Sequence, residues 1–235
     1  MEQGEGQRKM PLNGKVILLT GASGGLGSVV IPILSGAGAT LIIVDRVLPQ
    51  DVIDRRGGFT ADVTSETEVT RVVADTVKQS GRIDGLINLV GAFAPGSAVE
   101  TDLAKWQRML LLNVTSAFLL SRAVIPHMTA RRSGRIVHIA ARPVLEPFPG
   151  AAAYLVAKSA LVSLIRVLAL ELEGARVRVN GVLPTTIDTP VNRESMPHAD
   201  RSTWVKPESI AQVLVWLMSD ETAAINGALI PVGPS

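Results

Sequence analysis

Tyr154 and Lys158 stand four residues apart, a spacing that places both side chains on one face of a helix. A phenol is a poor proton donor and acceptor near neutrality because its reference pKa is about 10, but a neighbouring ammonium stabilises the phenolate. We therefore expect Lys158 to lower the pKa of Tyr154, and the pair to move a proton in catalysis. Without its surroundings, the same pair is also typical of a solvated contact on a helix.

Residues 20–27, Thr-Gly-Ala-Ser-Gly-Gly-Leu-Gly, form a glycine cluster suited to binding phosphate. The cluster follows the apolar run 15–20 and precedes the apolar-periodic segment 26–37, so the sequence predicts a strand, a loop and a helix. Glycines permit a tight turn and let backbone N–H groups approach a pyrophosphate, which the helix N-terminus also favours. Ordinary turn formation is the alternative. The residues predicted to bind a dinucleotide here are Gly21, Ser23, Gly24, Gly25, Leu26 and Gly27.

Asp45 ends the apolar run 40–45 and lies 18 residues after Gly27. A carboxylate near this spacing accepts hydrogen bonds from the adenosine ribose, and its charge repels a 2′-phosphate. The sequence therefore favours NAD(H), with NADP(H) as the alternative cofactor because Arg46 is suited to stacking on adenine or offsetting part of that charge. A solvated loop aspartate is the other interpretation.

Seven apolar or β-branched runs alternate with helical patterns along the chain. The runs are 15–20, 40–45, 59–61, 83–88, 135–140, 177–182 and 228–232, and helices are predicted at about 26–37, 66–79, 103–128, 153–173 and 207–219. This alternation predicts an α/β fold, a single Rossmann-like doubly wound parallel sheet of about seven strands with helices on both faces. We expect one domain over residues 13–235 after a flexible tail over 1–12.

Composition narrows the class of function. The 23 basic and 21 acidic residues are scattered, without the basic block expected of a nucleic-acid-binding chain. There are no cysteines and the three histidines lack metal-ligand spacing, so we expect no metal site. The chain starts without a signal-peptide core, and Lys158 and Arg166 interrupt its most apolar helical stretch. We therefore expect a cytoplasmic protein that does not enter the membrane.

Four segments, in this order, resemble the motifs of the short-chain dehydrogenase/reductase family. Residues 20–27 match its TGxxxGxG loop, 88–91 its NNAG segment, 154–158 its YxxxK motif and 184–189 its PGxxxT segment. The resemblance covers about residues 14–232, and the departures within these motifs are Leu89, Val90 and Thr185. It implies an NAD(P)(H)-dependent oxidoreductase that acts on a small molecule and assembles as a dimer or a tetramer.

The same resemblance implies roles for individual residues. It implies that Asn113 helps to hold Lys158 through water and so supports proton transfer. It also implies that Asp62 lies by the adenine ring, and that Ile187 and Thr189 face the nicotinamide carboxamide. The further cofactor-binding residues that it implies are Val63, Asn88, Gly91, Lys158 and Pro184.

The family's catalytic serine is missing from this chain. Thirteen residues before Tyr154 the family places a serine that binds the substrate carbonyl, whereas this chain has Ala141. Losing such a donor lowers turnover by about a hundredfold or more, so either catalysis is weak or the substrate is already electrophilic. Quinonoid dihydropteridine reductases also have alanine at this position, and residues 141–154 and 183–204 resemble theirs.

The leading hypothesis from the sequence is NADH-dependent reduction of an activated imine or quinonoid substrate, such as a quinonoid dihydropterin. The alternatives are a general carbonyl reductase or alcohol dehydrogenase, and a catalytically weak nucleotide-binding scaffold or sensor. Beside Ala141, we expect Phe93, Met196 and Trp204 to line a flat aromatic substrate pocket, with loop packing as the alternative.

Three further expectations concern packing and motion. The proline-rich segment 185–200 is typical of a lid that closes over substrate, with a static surface loop as the alternative. His138 lies within a predicted strand, so we expect a packed residue and not a base. The apolar helix faces near 110–120 and 155–172 are wider than one sheet face needs, which indicates a subunit interface.

Overall fold

The predicted parallel sheet is present in the computed structural model, which describes residues 10–48 and 57–234. All neighbouring strands pair in parallel, in the order β3-β2-β1-β4-β5-β6-β7. The strands are β1 Val16–Thr20, β2 Thr40–Asp45, β3 Phe59–Thr60, β4 Gly85–Asn88, β5 Gly134–Ile139, β6 Val177–Pro184 and β7 Leu229–Val232.

Within the described ranges, the helices follow the predicted pattern with two exceptions. They are α1 Gly27–Gly36, α2 Glu66–Ser80, α3 Leu103–Leu110, α4 Ser116–Ala130, α5 Ala152–Glu171, α6 Pro190–Ser195 and α7 Pro207–Met218. The predicted continuous helix 103–128 is interrupted, because a π turn, Leu111–Thr115, joins α3 to α4. The short helix α6 lies inside the predicted lid, where the sequence indicated no helix.

Each face of the sheet is covered by its own set of helices. In a parallel sheet successive side chains point to opposite faces, so both faces of each strand need an apolar cover. Leu18 and Leu86 join one core with α2, α4 and α5, whereas Ile17 and Ile87 join the other with α1 and α7. The fold is therefore a doubly wound Rossmann-like sheet, as the sequence predicts.

The packed domain begins slightly before the predicted boundary. Leu12 is fully buried, and its backbone N–H donates to Ala37 O at 2.9 Å. The expected tail over 1–12 thus includes a residue that belongs to the core, and residues 1–9 of that tail lie outside the described residues.

Two helical stretches, Leu103–Ala130 and Ala152–Glu171, are long and apolar enough to cross a membrane by length and composition alone. Both bury leucine and valine side chains against the sheet, as core helices do.

The strand order creates a crevice at the edge of the sheet where the strands have their carboxyl ends. The chain goes from β1 to β2 and β3 on one side, then returns to β4 on the other side of β1. Adjacent loops diverge at this reversal, and open α/β sheets bind ligands beside it, at the carboxyl ends of the strands. The glycine loop follows β1 at this edge, and the loop that follows β4 lies next to it.

Candidate functional site

The glycine loop owes its shape to close backbone contacts. Gly21 has a φ of +78°, and a Cβ there would lie 2.9 Å from the backbone nitrogen of Val90. A Cβ on Gly27 would overlap with the backbone oxygen of Ala22. A side chain on Gly21 would therefore push the loop away from the segment after β4. A side chain on Gly27 would push the start of α1 away from Ala22 in the loop.

The loop also has free donors for a pyrophosphate. Among the described residues, the backbone N–H groups of Gly25 and Leu26 have no hydrogen-bond acceptor, and they lie at the N-terminus of α1. Partial positive charge at such a terminus favours an anion. A Cβ on Gly25 would lie 2.9 Å from Cβ of Thr189, so the predicted PGxxxT-like segment reaches the glycine loop. These residues fit a dinucleotide phosphate.

Asp45 lies beside the loop, as its spacing predicts. Its Oδ2 accepts from the backbone N–H of Ser23 at 2.8 Å, and its Oδ1 accepts from the N–H of Arg46 at 2.7 Å. Side-chain and backbone hydrogen bonds from Thr64 lower the pKa of Asp62, and the charge of Arg46 acts in the same direction. Val63, next to Asp62, is buried. The predicted adenosine end of the site thus has two carboxylates with one guanidinium nearby.

Tyr154 and Lys158 lie one turn apart on α5. Lys158 is only 4% exposed, and its Nζ donates to the backbone oxygen of Ile139, at the end of β5, over 2.7 Å. Tyr154 is half-buried, and the Phe93 ring packs edge-on against its ring with the centroids 5.0 Å apart. The structure therefore places the pair at the carboxyl edge of the sheet.

The acid–base properties of this pair differ from the expectation. Burial raises the pKa of Tyr154 to about 12 and lowers the pKa of Lys158 to about 8. A low-dielectric surrounding disfavours the charged form of each group, so the tyrosine is neutral at pH 7. Burial thus raises the pKa of Tyr154 where a lowered pKa was expected, and stabilisation of the phenolate by Lys158 stays a prediction.

Asn113 lies in the π turn and bridges two segments. Its Nδ2 donates to the backbone oxygens of Met109 and Ala92, at 2.9 and 3.0 Å, and its Oδ1 accepts from the N–H of Ala92 at 3.2 Å. A Cβ on Gly91 would lie 2.9 Å from Asn113 Oδ1 and 3.0 Å from Lys158 Nζ. Asn113 and Lys158 thus flank the same glycine, and the link through water stays a prediction.

A buried chain of polar side chains under the site was missed by the sequence analysis. Asn88 Oδ1 accepts from Thr20 Oγ1 at 2.7 Å and from the N–H of Val90 at 3.0 Å. His138 Nδ1 lies 3.5 Å from Asn88 Nδ2, and its Nε2 lies 2.9 Å from Ser121 Oγ. The register of the strands could have revealed this chain, because Thr20, Asn88 and His138 are paired positions near the ends of β1, β4 and β5.

His138 is a neutral packed residue in this chain, which confirms the expectation that it is not a base. Burial, with the charge of Lys158 as a second cause, lowers the pKa of His138 to about 3. Because the Asn88 amide nitrogen can only donate, Nδ1 accepts and the proton lies on Nε2. The Asn88 amide, oriented by Thr20 and Val90, therefore determines the tautomer of His138.

The predicted substrate residues divide by exposure. Ala141 is buried at the end of β5 and contributes only a methyl group, while Phe93 and Met196 are exposed. Trp204 is buried, and the guanidinium of Arg201 lies 5.7 Å from its ring centroid. Trp204 is thus packed in the structure, unlike the exposed Phe93 and Met196, and a role of these residues in a substrate pocket stays a prediction.

The predicted lid segment is held by local contacts. Arg193 forms two hydrogen bonds with the Asp188 carboxylate, at 2.6 and 2.8 Å. Thr189 caps α6 by accepting from the N–H of Asn192 at 3.3 Å, and the Asn192 amide donates to the backbone oxygen of Ile187 at 2.8 Å. The base of the segment, which includes two predicted nicotinamide contacts, thus has a defined shape, and lid closure stays a prediction.

The comparisons with known proteins agree with this geometry. The family model described as short chain dehydrogenase matches residues 15–200, which include the glycine loop, Asn113, Tyr154 and Lys158. The chain belongs to the short-chain dehydrogenase family. It is therefore an oxidoreductase of a family that uses a nicotinamide cofactor, binds small molecules and typically forms oligomers.

Individual members of the family are similar over nearly their whole length. The chain is 31% identical to 2-(S)-hydroxypropyl-CoM dehydrogenase 3 of Xanthobacter autotrophicus, covering 94% of this chain and 96% of the relative. It is 32% identical to a cyclopentanol dehydrogenase of a Comamonas species, covering 94% and 96%. A solved short-chain dehydrogenase/reductase of Burkholderia xenovorans superposes with a TM-score of 0.84 at 33% identity, covering 95% and 96%.

We expect Gly27→Ala to weaken both the fold and dinucleotide binding, because its Cβ overlaps with Ala22 O. The free energy of unfolding should fall by about 2 kcal/mol or more, as overpacking costs about 1–3 kcal/mol. NADH affinity, followed by fluorescence titration, should fall at least tenfold. Gly36→Ala in the same helix meets no atom within 4 Å and is the control. Equal behaviour of the two variants would contradict this interpretation of the loop.

We expect Lys158→Met to stabilise the protein while removing activity. The folded pKa of Lys158, about 8, lies below its ordinary value of 10.5, so the buried charge opposes folding below pH 8 and the cost disappears as pH rises toward 10.5. At pH 7 the gain, reduced by the unpaired Ile139 oxygen, should be about 2 kcal/mol in urea unfolding. It should shrink at pH 9.5. Lys78→Met, at an exposed site, is the control, and a loss of stability independent of pH would exclude this explanation.

Proposed function

We propose that the protein is an NAD(H)-dependent oxidoreductase that interconverts a ketone and a secondary alcohol, with Tyr154 as the proton donor. The observation that carries this proposal is the position of Tyr154 and Lys158 at the sheet edge that also has the free amides of Gly25 and Leu26. A dinucleotide bound to those amides would have its reactive ring near the tyrosine hydroxyl. The relatives named above are dehydrogenases of alcohols, which supports the same reaction class.

The protein's part in the reaction is to orient the substrate and to move one proton. A bound reduced nicotinamide supplies hydride to the carbonyl carbon. Tyr154 donates its phenolic proton to the carbonyl oxygen, which is the protonation state that its raised pKa favours. The Lys158 ammonium, charged below about pH 8, stabilises the phenolate that remains. Below about pH 8 both groups are therefore in the protonation states that this reduction step requires.

The preference for NAD(H) rests on Asp45. Its carboxylate lies at the end of β2 beside the glycine loop, where its charge opposes a 2′-phosphate. Arg46 follows it, and the charge of that guanidinium already acts on Asp62. Since the Asp45 carboxylate lies directly beside the glycine loop, we propose that Asp45 determines the preference.

A quinonoid dihydropterin is the second candidate substrate, and the observation that favours it is Ala141. The alanine leaves the site without the family's carbonyl-binding hydroxyl at that position, which suits a substrate that needs no polarisation. The relatives named above act on alcohols and do not support a pterin. We therefore place ketone reduction first, and infer that binding geometry compensates for the missing hydroxyl.

Self-association is part of the proposal. Phe118 on α4 and Val156, Val167 and Leu170 on α5 are exposed. Large apolar side chains on two neighbouring helices are typical of a subunit interface, so we propose a dimer or a tetramer built on these helices.

We expect Asp45→Asn to change the choice of cofactor. The amide keeps an oxygen that can accept from Ser23 N–H, and it loses the charge that opposes a 2′-phosphate. The ratio of NADPH to NADH affinity, measured by fluorescence titration, should rise at least tenfold. Asp75→Asn, a carboxylate on α2 paired with Arg71, is the control and should leave the ratio unchanged. An unchanged ratio in Asp45→Asn would show that another residue sets the preference.

We expect Ala141→Ser to raise kcat/KM for ketone reduction about tenfold or more, because it restores a donor to the carbonyl oxygen. Tyr154→Phe should lower kcat about a thousandfold with NADH binding intact, in line with the size of general acid catalysis. Both are measured by NADH oxidation with a ketone panel and a freshly generated quinonoid dihydropterin. A Tyr154-dependent reaction with the pterin alone, and no gain from Ala141→Ser, would reverse the order of the two substrates.

A further inference from the structure

Exposed apolar side chains concentrate at the edge of the sheet that carries the catalytic tyrosine. They lie in the segments that follow β4, β5 and β6, whose carboxyl ends share that edge. The exposed residues are Phe93 and Val99 after β4, Leu145 and Phe148 after β5, and Val191 and Met196 after β6. Exposed apolar side chains at the carboxyl ends of parallel strands are typical of a binding site.

Phe93 connects this surface to the reacting group. Its ring packs edge-on against the Tyr154 ring at 5.0 Å, yet the residue is 57% exposed. Part of the Phe93 ring therefore contacts the Tyr154 ring, and the rest of it is open to a ligand. A phenylalanine held in this way offers an apolar contact directly beside the proton donor.

The segments after β4 and β5 form one continuous wall. Gly96 N–H donates to Gly150 O at 2.8 Å, and Ala152 N–H donates to Gly96 O at 3.0 Å. Phe93 and Phe148 come three and two residues before these paired glycines. Phe93 and Phe148 thus lie on two backbone segments that are hydrogen-bonded to each other. Helix α5 begins where these segments end.

The charge of this wall suits a neutral ligand. Residues 89–99 contain no charged side chain, and residues 141–153 contain Arg142 and Glu146, whose charges are opposite. Ala141 adds a methyl group where a hydroxyl would stand, and the lid arginine Arg193 is paired with Asp188. A carboxylate or a phosphate would find few charged partners in residues 89–99 and 141–153.

We propose that the substrate is an uncharged ketone with a bulky apolar body, aryl or alicyclic, which packs against Phe93 and Phe148 while its carbonyl oxygen faces Tyr154. The inference rests on the proposed ketone reduction and names its substrate class. The reaction takes hydride from NADH to the carbonyl carbon and the Tyr154 proton to the oxygen, giving the secondary alcohol and NAD⁺. Apolar contact with the body supplies the orientation that the missing hydroxyl does not.

The test is NADH-dependent reduction of acetophenone and cyclohexanone beside hydroxyacetone and a quinonoid dihydropterin, with purified full-length protein. We expect kcat/KM for the two apolar ketones to exceed that for hydroxyacetone at least tenfold. Phe93→Ala should lower the ratio of acetophenone to hydroxyacetone at least tenfold, and Phe93→Leu should restore part of it. Met10→Ala, at an apolar residue that is 48% exposed and precedes β1 at the opposite edge of the sheet, is the control and should leave the ratio unchanged.

The outcomes separate the substrate class from the reaction. Tyr154-dependent reduction of hydroxyacetone or the pterin in preference to the apolar ketones would overturn the substrate class and keep the oxidoreductase. A Phe93→Ala variant that lowers turnover of every ketone equally would show that Phe93 only positions Tyr154, and would also overturn it. No Tyr154-dependent turnover of any ketone would overturn both proposals.

Discussion

The buried ammonium of Lys158 is the constraint to which the rest of the site conforms. A cation with almost no contact with solvent is costly, and the protein offsets that cost with one short hydrogen bond to Ile139 O. Its neighbours follow from this charge. Gly91 is without a side chain where a Cβ would meet Nζ, and His138 is neutral, partly because a second cation nearby would be repelled.

Hydrogen bonds connect the side chains of Ser121, His138, Asn88 and Thr20 in a buried chain that reaches the glycine loop. It crosses three adjacent strands and ends on the N–H of Val90, which lies against Gly21. In a buried network every polar atom that loses its partner costs about 1–3 kcal/mol, so the neutral tautomer of His138 stabilises one orientation of Asn88. The histidine thus contributes, from a buried position, to the shape of the proposed cofactor pocket.

Much of this architecture could be predicted from the sequence. The β-branched runs identified all seven strands, and the glycines of residues 20–27 identified the turn that packs against Val90. Local periodicity does not report burial by distant segments, which is why the pKa of Tyr154 and the burial of Trp204 were not foreseen. The π turn was also missed, because an apolar period is compatible with either form of helix.

The π turn between α3 and α4 lets these two helices pack against different parts of the protein. Each residue advances an α-helix by about 100°, so one additional residue in a turn shifts the phase of everything that follows. Before the turn, Met109 of α3 packs toward α5, and after it Leu120 and Val124 of α4 pack into the sheet core with α2. Without the phase shift, a single apolar stripe could not match both surfaces. Asn113 lies in the π turn itself. The turn that lets α3 and α4 pack on different surfaces therefore also positions a residue of the proposed active site.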